Sequence, residues 1–287
     1  MTERRRKRPL ATDHFGVRLS AWRTRRRESQ LDLAIAADIS QRHLSFVESG
    51  RTLPSRDMVV RLCDALDIPL RARNELLSSA GYAALYPERS LDILEMADVR
   101  DALNRIVGHH EPFPAFVVDR HWRVVLSNGS ATRLVSACLD DAMLQSLSPD
   151  GALNFMRVMF EPLQMRPRIR NWPSVAPRLV ARLRNEARGD PQSPSAALLQ
   201  ELAPQAEADR PIEEPDSVEL PIVPLELDVE GTTLRLFNTI TTFGTPQDVG
   251  LQELRIEMSY PMDSATRTFL TEALKRPQPK PMEPAPP

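Results

Sequence analysis

Two adjacent polar residues, Gln41 and Arg42, carry the clearest chemical signal in this sequence. Gln can hydrogen-bond the edge of adenine at two points, and Arg can do the same with guanine, each for about 1–3 kcal/mol of discrimination between bases. Both follow Ser40, a residue type whose hydroxyl accepts the free amide N–H groups of a helix's first turn. The three residues predict a helix that begins at Gln41 and exposes base-reading side chains, although two ordinary surface residues would look the same.

The stretch around them, residues 30–51, has the pattern of two short helices joined by a tight turn at Asp38-Ile39. Gly50 stops the second helix, and apolar residues recur at helical spacing on both sides of the turn. These apolar residues are Leu31, Leu33, Ala34 and Ala37, then Leu44 and Val47. Two helices that cross in this way form a helix-turn-helix, whose second helix lies in the major groove of DNA.

Four further residues in or just after the second helix are candidate DNA contacts. His43 and Ser45 are expected near phosphate groups, and Arg51 is expected to position the DNA backbone rather than read sequence. Phe46 has two interpretations that the sequence leaves open. Its ring packs either on the methyl group of a thymine or against the loop that follows the helix.

The sequence offers little support for an enzyme or a metalloprotein. His109-His110-Glu111 combines imidazole and carboxylate groups, but no second pair at metal-ligand spacing accompanies it, so a solvated loop is the better interpretation. Neither a glycine-rich phosphate loop nor a nucleophile elbow occurs among the ten glycines. We therefore predict no catalytic residue, no metal site and no cofactor other than the ligand considered below.

The length and composition fit a folded protein with two domains. A chain of 287 residues can bury two cores, and a hydrophobic content of 41% argues against disorder. No apolar run approaches the roughly 20 residues that span a bilayer, and none follows the basic N-terminal residues, so we expect neither a membrane span nor a signal peptide. Cys63 and Cys138 lack paired spacing, which favours a reducing compartment, the cytoplasm.

Charge is distributed unevenly along the chain. Residues 1–80 contain 16 Lys and Arg against 10 Asp and Glu, a balance of +6, and the rest of the chain has a balance of −8. A basic module suits a polyanion such as DNA, which would repel the acidic remainder. The split favours a DNA-binding domain followed by a separate sensor domain.

The first part of the chain is predicted to be an all-α domain of five helices. Residues 1–12 form a basic arm, either a flexible tail or a segment that neutralises phosphates. A helix over residues 14–27 precedes the helix-turn-helix, and helices over 56–66 and 70–80 follow it. We place this domain at residues 13–82 and a linker at 83–90.

The remaining residues are predicted to form an α+β domain at 91–275, followed by a disordered, proline-rich tail at 276–287. Short strands lie near both ends of this domain, with helices between them. The strands are 112–119, 123–127, 222–229, 233–243 and 254–260, and the helices are 92–107, 131–139, 153–160, 175–188, 196–202 and 264–274. This order predicts an antiparallel sheet covered on one side.

The helix-turn-helix stretch resembles the lambda-repressor-like, Xre-type DNA-binding domains. Gln30 matches the residue that opens the first helix of that motif and touches a phosphate. Glu48 matches an acidic residue that pairs with an arginine of the preceding helix, here Arg23. Two positions depart from the family pattern. Asp38 replaces a common glycine, and Arg27-Glu28 replaces a glycine and an apolar residue, from which we expect a longer first helix.

Four longer stretches extend the resemblance to most of residues 13–274. They are SFVESGRTLPS in the first domain, then PAFVVDRHWRVVLSN, RIRNWPSVAPRLVARLRNEA and LFNTITTFGTPQDVGLQELRIEMSYP in the second. In this order they are similar to MmyB-like transcription regulators, in which an Xre-type helix-turn-helix precedes a PAS-like ligand-binding domain. The resemblance implies a cytoplasmic bacterial regulator with a hydrophobic pocket for a fatty-acid-like molecule. Residues 160–165, FEPLQM, replace a histidine-proline pair that is common in the family.

Eight residues of the second domain are candidate ligand contacts. Arg170, Asn171 and Trp172 form one group, in which Arg and Asn could hold a carboxylate and Trp could supply an apolar wall. A structural loop with Trp172 in the core is the open alternative. The other five either line the pocket or belong to the plain core: Phe116, Val118, Phe155, Phe237 and Ile240.

These observations lead to the hypothesis of a homodimeric regulator that binds a double-stranded DNA operator. Two recognition helices about 34 Å apart would read a near-palindrome. The second domain would bind a small apolar ligand that modulates DNA binding. In the alternative, that domain serves only dimerisation or partner recruitment and binds no ligand.

Overall fold

The computed structural model describes residues 15–149, 151–189, 193–208 and 222–273. The predicted basic arm and proline-rich tail lie outside these residues. The chain divides into two compact units, as the two-domain prediction requires. The first unit is Met1–Arg89 together with Thr245–Gln252, and the second is Ser90–Gly244 with Glu253–Pro287. Residues 245–252, which the sequence analysis assigned to the second domain, therefore belong to the first unit.

Five helices make up the described part of residues 15–79, which confirms the all-α prediction. They are α1 (Phe15–Arg25), α2 (Gln30–Ala36), α3 (Gln41–Glu48), α4 (Arg56–Ala65) and α5 (Leu70–Ser79). Their buried apolar faces form one core, with Leu19, Leu33, Leu44 and Leu62 at its centre. Leu31 was predicted on the buried face of α2, but its side chain is half exposed.

Serine side chains start three of these helices. Ser29, Ser40 and Ser55 each accept a hydrogen bond from the backbone N–H three residues later, at 3.1, 3.2 and 3.3 Å. In α2 the Asp32 carboxylate returns the contact by accepting from the Ser29 N–H, at 3.2 Å, which completes a capping box. The predicted cap at Ser40 is thus confirmed, and α3 begins at Gln41 as expected.

The turns that join these helices require left-handed backbone conformations. Asp38 has φ of +53° in the turn between α2 and α3, and Gly50 has φ of +71° after α3. Arg27 has φ of +60°, so the prediction of a longer first helix is wrong. The helix ends at Arg25 because Arg27 adopts the conformation that the family's usual glycine would adopt.

The segment 245–252 supplies contacts within the first unit. The Gln252 side-chain oxygen accepts from the Leu70 N–H at 2.7 Å, at the start of α5, where Pro69 provides no side-chain cap. The Val249 N–H donates to the Pro87 carbonyl at 2.8 Å. The free N–H at the start of α5 is therefore satisfied from a part of the chain that is distant in sequence.

The second unit combines helices with a five-stranded sheet. The strands are β1 (Ala115–Val118), β2 (Val124–Ser127), β3 (Leu225–Val229), β4 (Thr232–Thr241) and β5 (Arg255–Pro261). The helices are α6 (Ala97–His109), α7 (Gly129–Cys138), α8 (Asp141–Ser146), α9 (Phe155–Phe160), α10 (Trp172–Gly189), α11 (Pro194–Ala208) and α13 (Ser264–Ala273). The remaining helix, α12 (Val249–Glu253), lies almost entirely in the segment 245–252 of the first unit. Short 3-10 turns occupy Leu94–Met96 and Arg166–Arg168.

The strand order in the sheet is β2-β1-β5-β4-β3, and every neighbouring pair is antiparallel. Strands from both ends of the domain thus meet at its centre, where Val117 of β1 pairs with Ile256 of β5. The β3–β4 hairpin turns at Glu230 and Gly231, whose φ angles are +48° and +79°. Two left-handed central residues suit the right-handed twist of a hairpin. The predicted α+β class with an antiparallel sheet is confirmed.

Several element bounds differ from the predicted ones. α8 and α12 were not predicted, because helices of six and five residues show too few turns for a periodic pattern. α11 is longer than the predicted 196–202 and continues through Pro204. α9 starts at Phe155 because Asn154 caps it by accepting from the Arg157 N–H at 3.2 Å. No helix in the described residues is long and apolar enough to cross a membrane.

Candidate functional site

The helix α3 exposes the residues predicted to read bases. Leu44 and Val47 are fully buried in the first unit, whereas Gln41 and Arg42 are exposed at the first turn. This division follows from the helical period, since residues three or four apart share a face. The amide and the guanidinium group are therefore available to a partner outside the unit.

A partly buried ion pair fixes α3 against the helices before it. The Glu48 carboxylate accepts from the Arg23 guanidinium at 2.7 and 3.1 Å, so the predicted pair is present. The same carboxylate accepts from the Gln30 amide at 2.7 Å. The pKa of Arg23 is raised, chiefly by its hydrogen bond to Glu48. Gln30 lies at the start of α2, as predicted, and its side chain contributes to this network.

A close backbone approach also holds α3 in place. A side-chain carbon at Gly16 of α1 would lie 2.3 and 2.4 Å from the carbonyl oxygens of Glu48 and Val47. Such distances are far below van der Waals contact, so the packing of α1 on α3 requires glycine at this position.

Phe46 contacts Arg51 in the loop that follows α3, as one interpretation expected, and also Arg42, which neither interpretation included. Its half-buried ring lies 5.5 Å from the Arg42 guanidinium and 5.6 Å from that of Arg51. Its carbonyl accepts from the Arg51 N–H at 2.8 Å and the Thr52 N–H at 3.2 Å. One aromatic ring therefore joins the exposed first turn of α3 to the loop that follows it.

The remaining DNA-contact candidates differ in accessibility. Ser40 has its hydroxyl occupied as the helix cap. His43 and Ser45 are half-buried, and the Nε2 atom of His43 is shielded from solvent without a hydrogen-bond partner among the described residues. Arg51 is exposed. The exposed polar side chains on this surface are thus Gln41, Arg42 and Arg51.

Arg170, Asn171 and Trp172 make the contacts of a structural loop. The Asn171 side chain donates to the Pro224 carbonyl at 2.7 Å and accepts from the Glu226 N–H at 3.1 Å. Trp172 is buried, with its ring 4.9 Å from that of Phe160. Arg170 pairs with Asp228 at 3.0 Å, and both are well exposed. Arg170 and Asn171 attach the start of α10 to the edge strand β3, and Trp172 packs in the core, which favours the structural alternative.

Three of the predicted pocket residues lie together on one face of the sheet. Phe116 and Val118 are two residues apart on β1, so their side chains share a face. The ring of Phe155 lies 4.9 Å from that of Phe116 and 6.0 Å from that of Trp122. Phe116 and Phe155 were both candidate pocket residues, and the fold brings their rings into contact.

The two predicted pocket residues on β4 lie on opposite faces of the sheet. Phe237 and Ile240 are three residues apart, an odd separation that places their side chains on opposite sides of a strand. Phe237 stacks on Tyr260 with ring centres 5.1 Å apart. Ile240 pairs with Glu257, which pairs in turn with Phe116, and it is 50% exposed. Phe237 therefore does not join the group that contains Phe116.

A charged cluster around Trp122 was not predicted. Trp122 is 0% exposed, and the guanidinium groups of Arg182 and Arg255 lie 4.3 and 4.0 Å from its ring centre. Its indole N–H donates to Glu186 at 3.0 Å and to Ser195 at 3.3 Å. This arrangement places two cations and a carboxylate in contact with one fully buried ring.

Each of these arginines is paired within the cluster. Arg182 donates to Glu257 at 2.5 Å, and Arg255 pairs with Glu186 and donates to the Asp119 carbonyl at 2.9 Å. Burial is the largest cause of a lowered pKa at Arg255, and the positive charge of Arg182 adds to it. Two sequence features were a signal for this cluster. Charged residues alternate along the strand LRIEMSY, and an Arg and a Glu lie four residues apart on α10.

Reactive groups elsewhere in the chain are engaged in the fold. Burial raises the pKa of Cys63 to about 12 and that of Cys138 to about 11, so both thiols are protonated at neutral pH. His110 contacts the Ser259 carbonyl through Nε2 at 2.8 Å, and Glu111 accepts from the Ser130 N–H at 3.1 Å. Among the described residues, no group of three potential metal ligands comes together.

Comparison with known families agrees with this geometry. The family described as the MmyB-like transcription regulator ligand binding domain matches residues 99–273, and a helix-turn-helix domain family matches residues 14–76. No curated protein matches the chain. The two matches cover the α+β unit and the unit that contains α3. The chain therefore belongs to the family of MmyB-like transcription regulators and is a DNA-binding regulator with a ligand-binding domain.

Proposed function

We propose that this regulator acts in the cytoplasm as a homodimer on a near-palindromic operator, and that a fatty-acid-like ligand in its second unit modulates DNA binding. The observation that carries the DNA-binding part is the exposure of Gln41 and Arg42 on a helix fixed by Glu48. A rigid helix presents its side chains to base edges at a defined spacing, which sequence-specific reading requires.

The dimer follows from the size of one recognition surface. A single α3 exposes two base-reading side chains, and each such contact contributes about 1–3 kcal/mol of discrimination. Operators of helix-turn-helix dimers repeat the half-site after about one turn of DNA, roughly 34 Å, so that both recognition helices bind the same face. A second copy of the chain would double the number of base contacts with little added sequence.

The ligand part of the proposal is supported by apolar surface that lies beside fixed charges. Phe116 and Phe155 are partly exposed aromatic residues in mutual contact, and Phe155 stacks on Trp122 of the charged cluster. A site for a fatty-acid-like ligand needs an apolar wall, which these two rings can supply. To regulate, the ligand must bind one arrangement of the dimer more tightly than another.

Selection of DNA from a random pool by the full-length protein tests the DNA-binding part. We expect an enriched near-palindrome with half-site centres about 10 base pairs apart. Arg42→Gln should relax the preference at one position in each half-site, because Arg reads guanine with two hydrogen bonds. Arg170→Gln, at an exposed residue of the second unit, is the matched control and should leave the site unchanged. Failure to enrich any sequence would contradict the proposal.

Lipid extraction of the purified protein followed by mass spectrometry tests the ligand part. We expect a co-purifying fatty-acid-like molecule, and a rise in melting temperature when fatty acids are added. The Phe155→Ala variant should lose both signals, because it removes the ring that contacts Phe116. If no apolar molecule co-purifies and no fatty acid shifts the melting temperature, the second unit serves dimerisation or partner recruitment instead.

A further inference from the structure

The ring of Phe46 contacts two cations that form no ion pair with any described residue of the unit. The guanidinium groups of Arg42 and Arg51 lie 5.5 and 5.6 Å from the ring centre, within the roughly 6 Å range of cation–π attraction. Arg42 and Phe46 are four residues apart on one helix face, and Arg51 is tied to Phe46 by its backbone N–H. Sequence spacing alone thus brings both cations to the ring.

Several other arginines of the same unit are engaged with carboxylates. Arg23 pairs with Glu48 at 2.7 Å, Arg18 with Glu75 at 3.3 Å, and Arg73 with Asp64. By contrast, neither Arg42 nor Arg51 forms an ion pair with any residue that the structure describes. Two exposed cations without an internal anion can bind an external polyanion with no partner to displace.

The aromatic contact also limits the motion of both side chains. A free arginine side chain samples many rotamers, and fixing them on binding opposes association. A guanidinium group that already lies over a ring has lost part of that freedom before DNA arrives. The N–H groups of the guanidinium group point outward in its plane, so they remain able to donate hydrogen bonds.

We propose that Phe46 is a positioning residue for DNA recognition, which holds Arg42 for a base contact and Arg51 for a phosphate contact. This inference rests on the proposed function, in which α3 reads an operator. It goes beyond both sequence interpretations, because the ring acts on DNA through two arginines, one on α3 and one in the loop that follows it, instead of touching a thymine methyl group. It also links base reading and backbone binding through one side chain.

A double-mutant cycle on the selected operator tests this role. Phe46→Leu keeps an apolar side chain but removes the ring, so both arginine side chains must be ordered on binding, which predicts a loss of about 5- to 30-fold in affinity. In the Arg42→Ala, Arg51→Ala background, the same Phe46→Leu change should alter affinity by less than about twofold. Phe46→Tyr keeps the ring and should stay close to wild type. Equal losses from Phe46→Leu in both backgrounds would overturn the proposal.

A second measurement uses only the wild-type protein and does not depend on how any variant folds. Each thymine of the operator is replaced in turn by uracil, which lacks the 5-methyl group. A positioning role predicts unchanged affinity at every position, whereas direct methyl contact by Phe46 predicts a loss at one thymine in each half-site. A loss of that kind would overturn the proposal.

The proposed function and the role of Phe46 can be refuted separately. A wild-type protein that selects no DNA sequence refutes the proposed function, and the role of Phe46 with it. If the wild-type protein binds a selected operator and a folded Phe46→Leu variant binds it with equal affinity and equal base preference, only the role of Phe46 is refuted. Circular dichroism and thermal melting of each variant establish that it is folded.

Discussion

Two aromatic rings in this protein each have two arginines over them, and their surroundings differ. Trp122 is fully buried, and its arginines are neutralised by Glu186 and Glu257. Phe46 is half-buried on the recognition helix, and its arginines have no ion pair with a described residue. A ring with two arginines thus forms a closed cluster in one unit, where carboxylates pair with the arginines. In the other unit it forms an open cluster, where the arginines have no ion pair with a described residue.

The difference follows from the cost of burying charge. A guanidinium group removed from water keeps its charge, so without a carboxylate and further hydrogen bonds it would destabilise the fold. Arg255 meets this requirement through Glu186 and the Asp119 carbonyl. Exposed arginines keep their hydration and need no such partners. The carboxylates therefore decide whether a ring with two arginines stabilises the fold or remains available for binding.

The largest expected effect comes from removing the buried ring. Trp122→Ala should lower the free energy of unfolding by about 3–5 kcal/mol, because it leaves a cavity and removes the partner of Glu186. Phe46→Ala should lower it by about 1 kcal/mol, since that ring is only half-buried. Denaturant unfolding of both variants measures the difference. Equal losses would show that the two ring clusters do not differ in the way described.

A smaller loss is expected when one carboxylate of the closed cluster is removed. Glu257 is 1% exposed, so Glu257→Ala should cost about 3 kcal/mol by removing the buried carboxylate to which Arg182 donates and leaving only the longer contact of Arg182 with Glu186. The matched control is Glu201→Ala, which breaks the Arg157–Glu201 pair, whose side chains are 46% and 43% exposed. That exposed pair should contribute less than about 1 kcal/mol. A similar cost for both variants in chemical denaturation would contradict this interpretation.

The arginines of the open cluster should affect binding and leave stability nearly unchanged. Arg42→Gln and Arg51→Gln should each lower the free energy of unfolding by no more than about 1 kcal/mol, because neither side chain forms an ion pair with a described residue and an exposed cation–π contact contributes about 0.5–1 kcal/mol. Arg51→Gln should also lower the slope of log affinity against log salt by about 1 if it contacts a phosphate. Titrations at several salt concentrations measure that slope, and an unchanged slope would exclude the phosphate contact.

The smallest effect concerns helix-capping carboxylates outside both clusters. Asp32, Asp140 and Asp263 each have a pKa lowered from the ordinary 3.8. The largest cause is the Ser29 hydroxyl for Asp32, and a backbone N–H of the capped helix for the other two. Because the folded-state pKa is the lower one, the stabilisation is complete above about pH 3.8 and is lost as pH falls further. Melting temperatures between pH 5 and pH 2.5, compared with the Asp→Asn variants, measure this loss.

Local signals made most of the recognition helix predictable. Ser40, the spacing of Leu44 and Val47, and Gly50 all act within a few residues of the helix that they define. The hairpin turn at Glu230 and Gly231 was predictable for the same reason. Sequence alone therefore defined elements whose start and stop signals are close together in the chain.

Contacts between distant residues were the part that sequence patterns did not reveal. The Trp122 cluster joins an Arg and a Glu of α10 to an Arg and a Glu of β5, about seventy residues later in the chain. No local pattern says that these two elements will pack together. The separation of Phe237 from Ile240 is a different case. Side chains alternate between the two faces along a strand, so the odd spacing of Phe237 and Ile240 already predicted that they lie on opposite faces. The hypothesis that both residues line one pocket overlooked this alternation.

Gln252 has a practical consequence for anyone who isolates the DNA-binding half of this regulator. A fragment that stops at residue 89 would end where the connecting chain ends, yet it would lack residues 245–252 of its own compact unit. Leu70 would then lose the oxygen that accepts its N–H, and the backbone contact of Val249 with Pro87 would also be missing. Operator affinity measured on such a fragment would describe a helix bundle with a frayed α5, so the intact chain is the right reference.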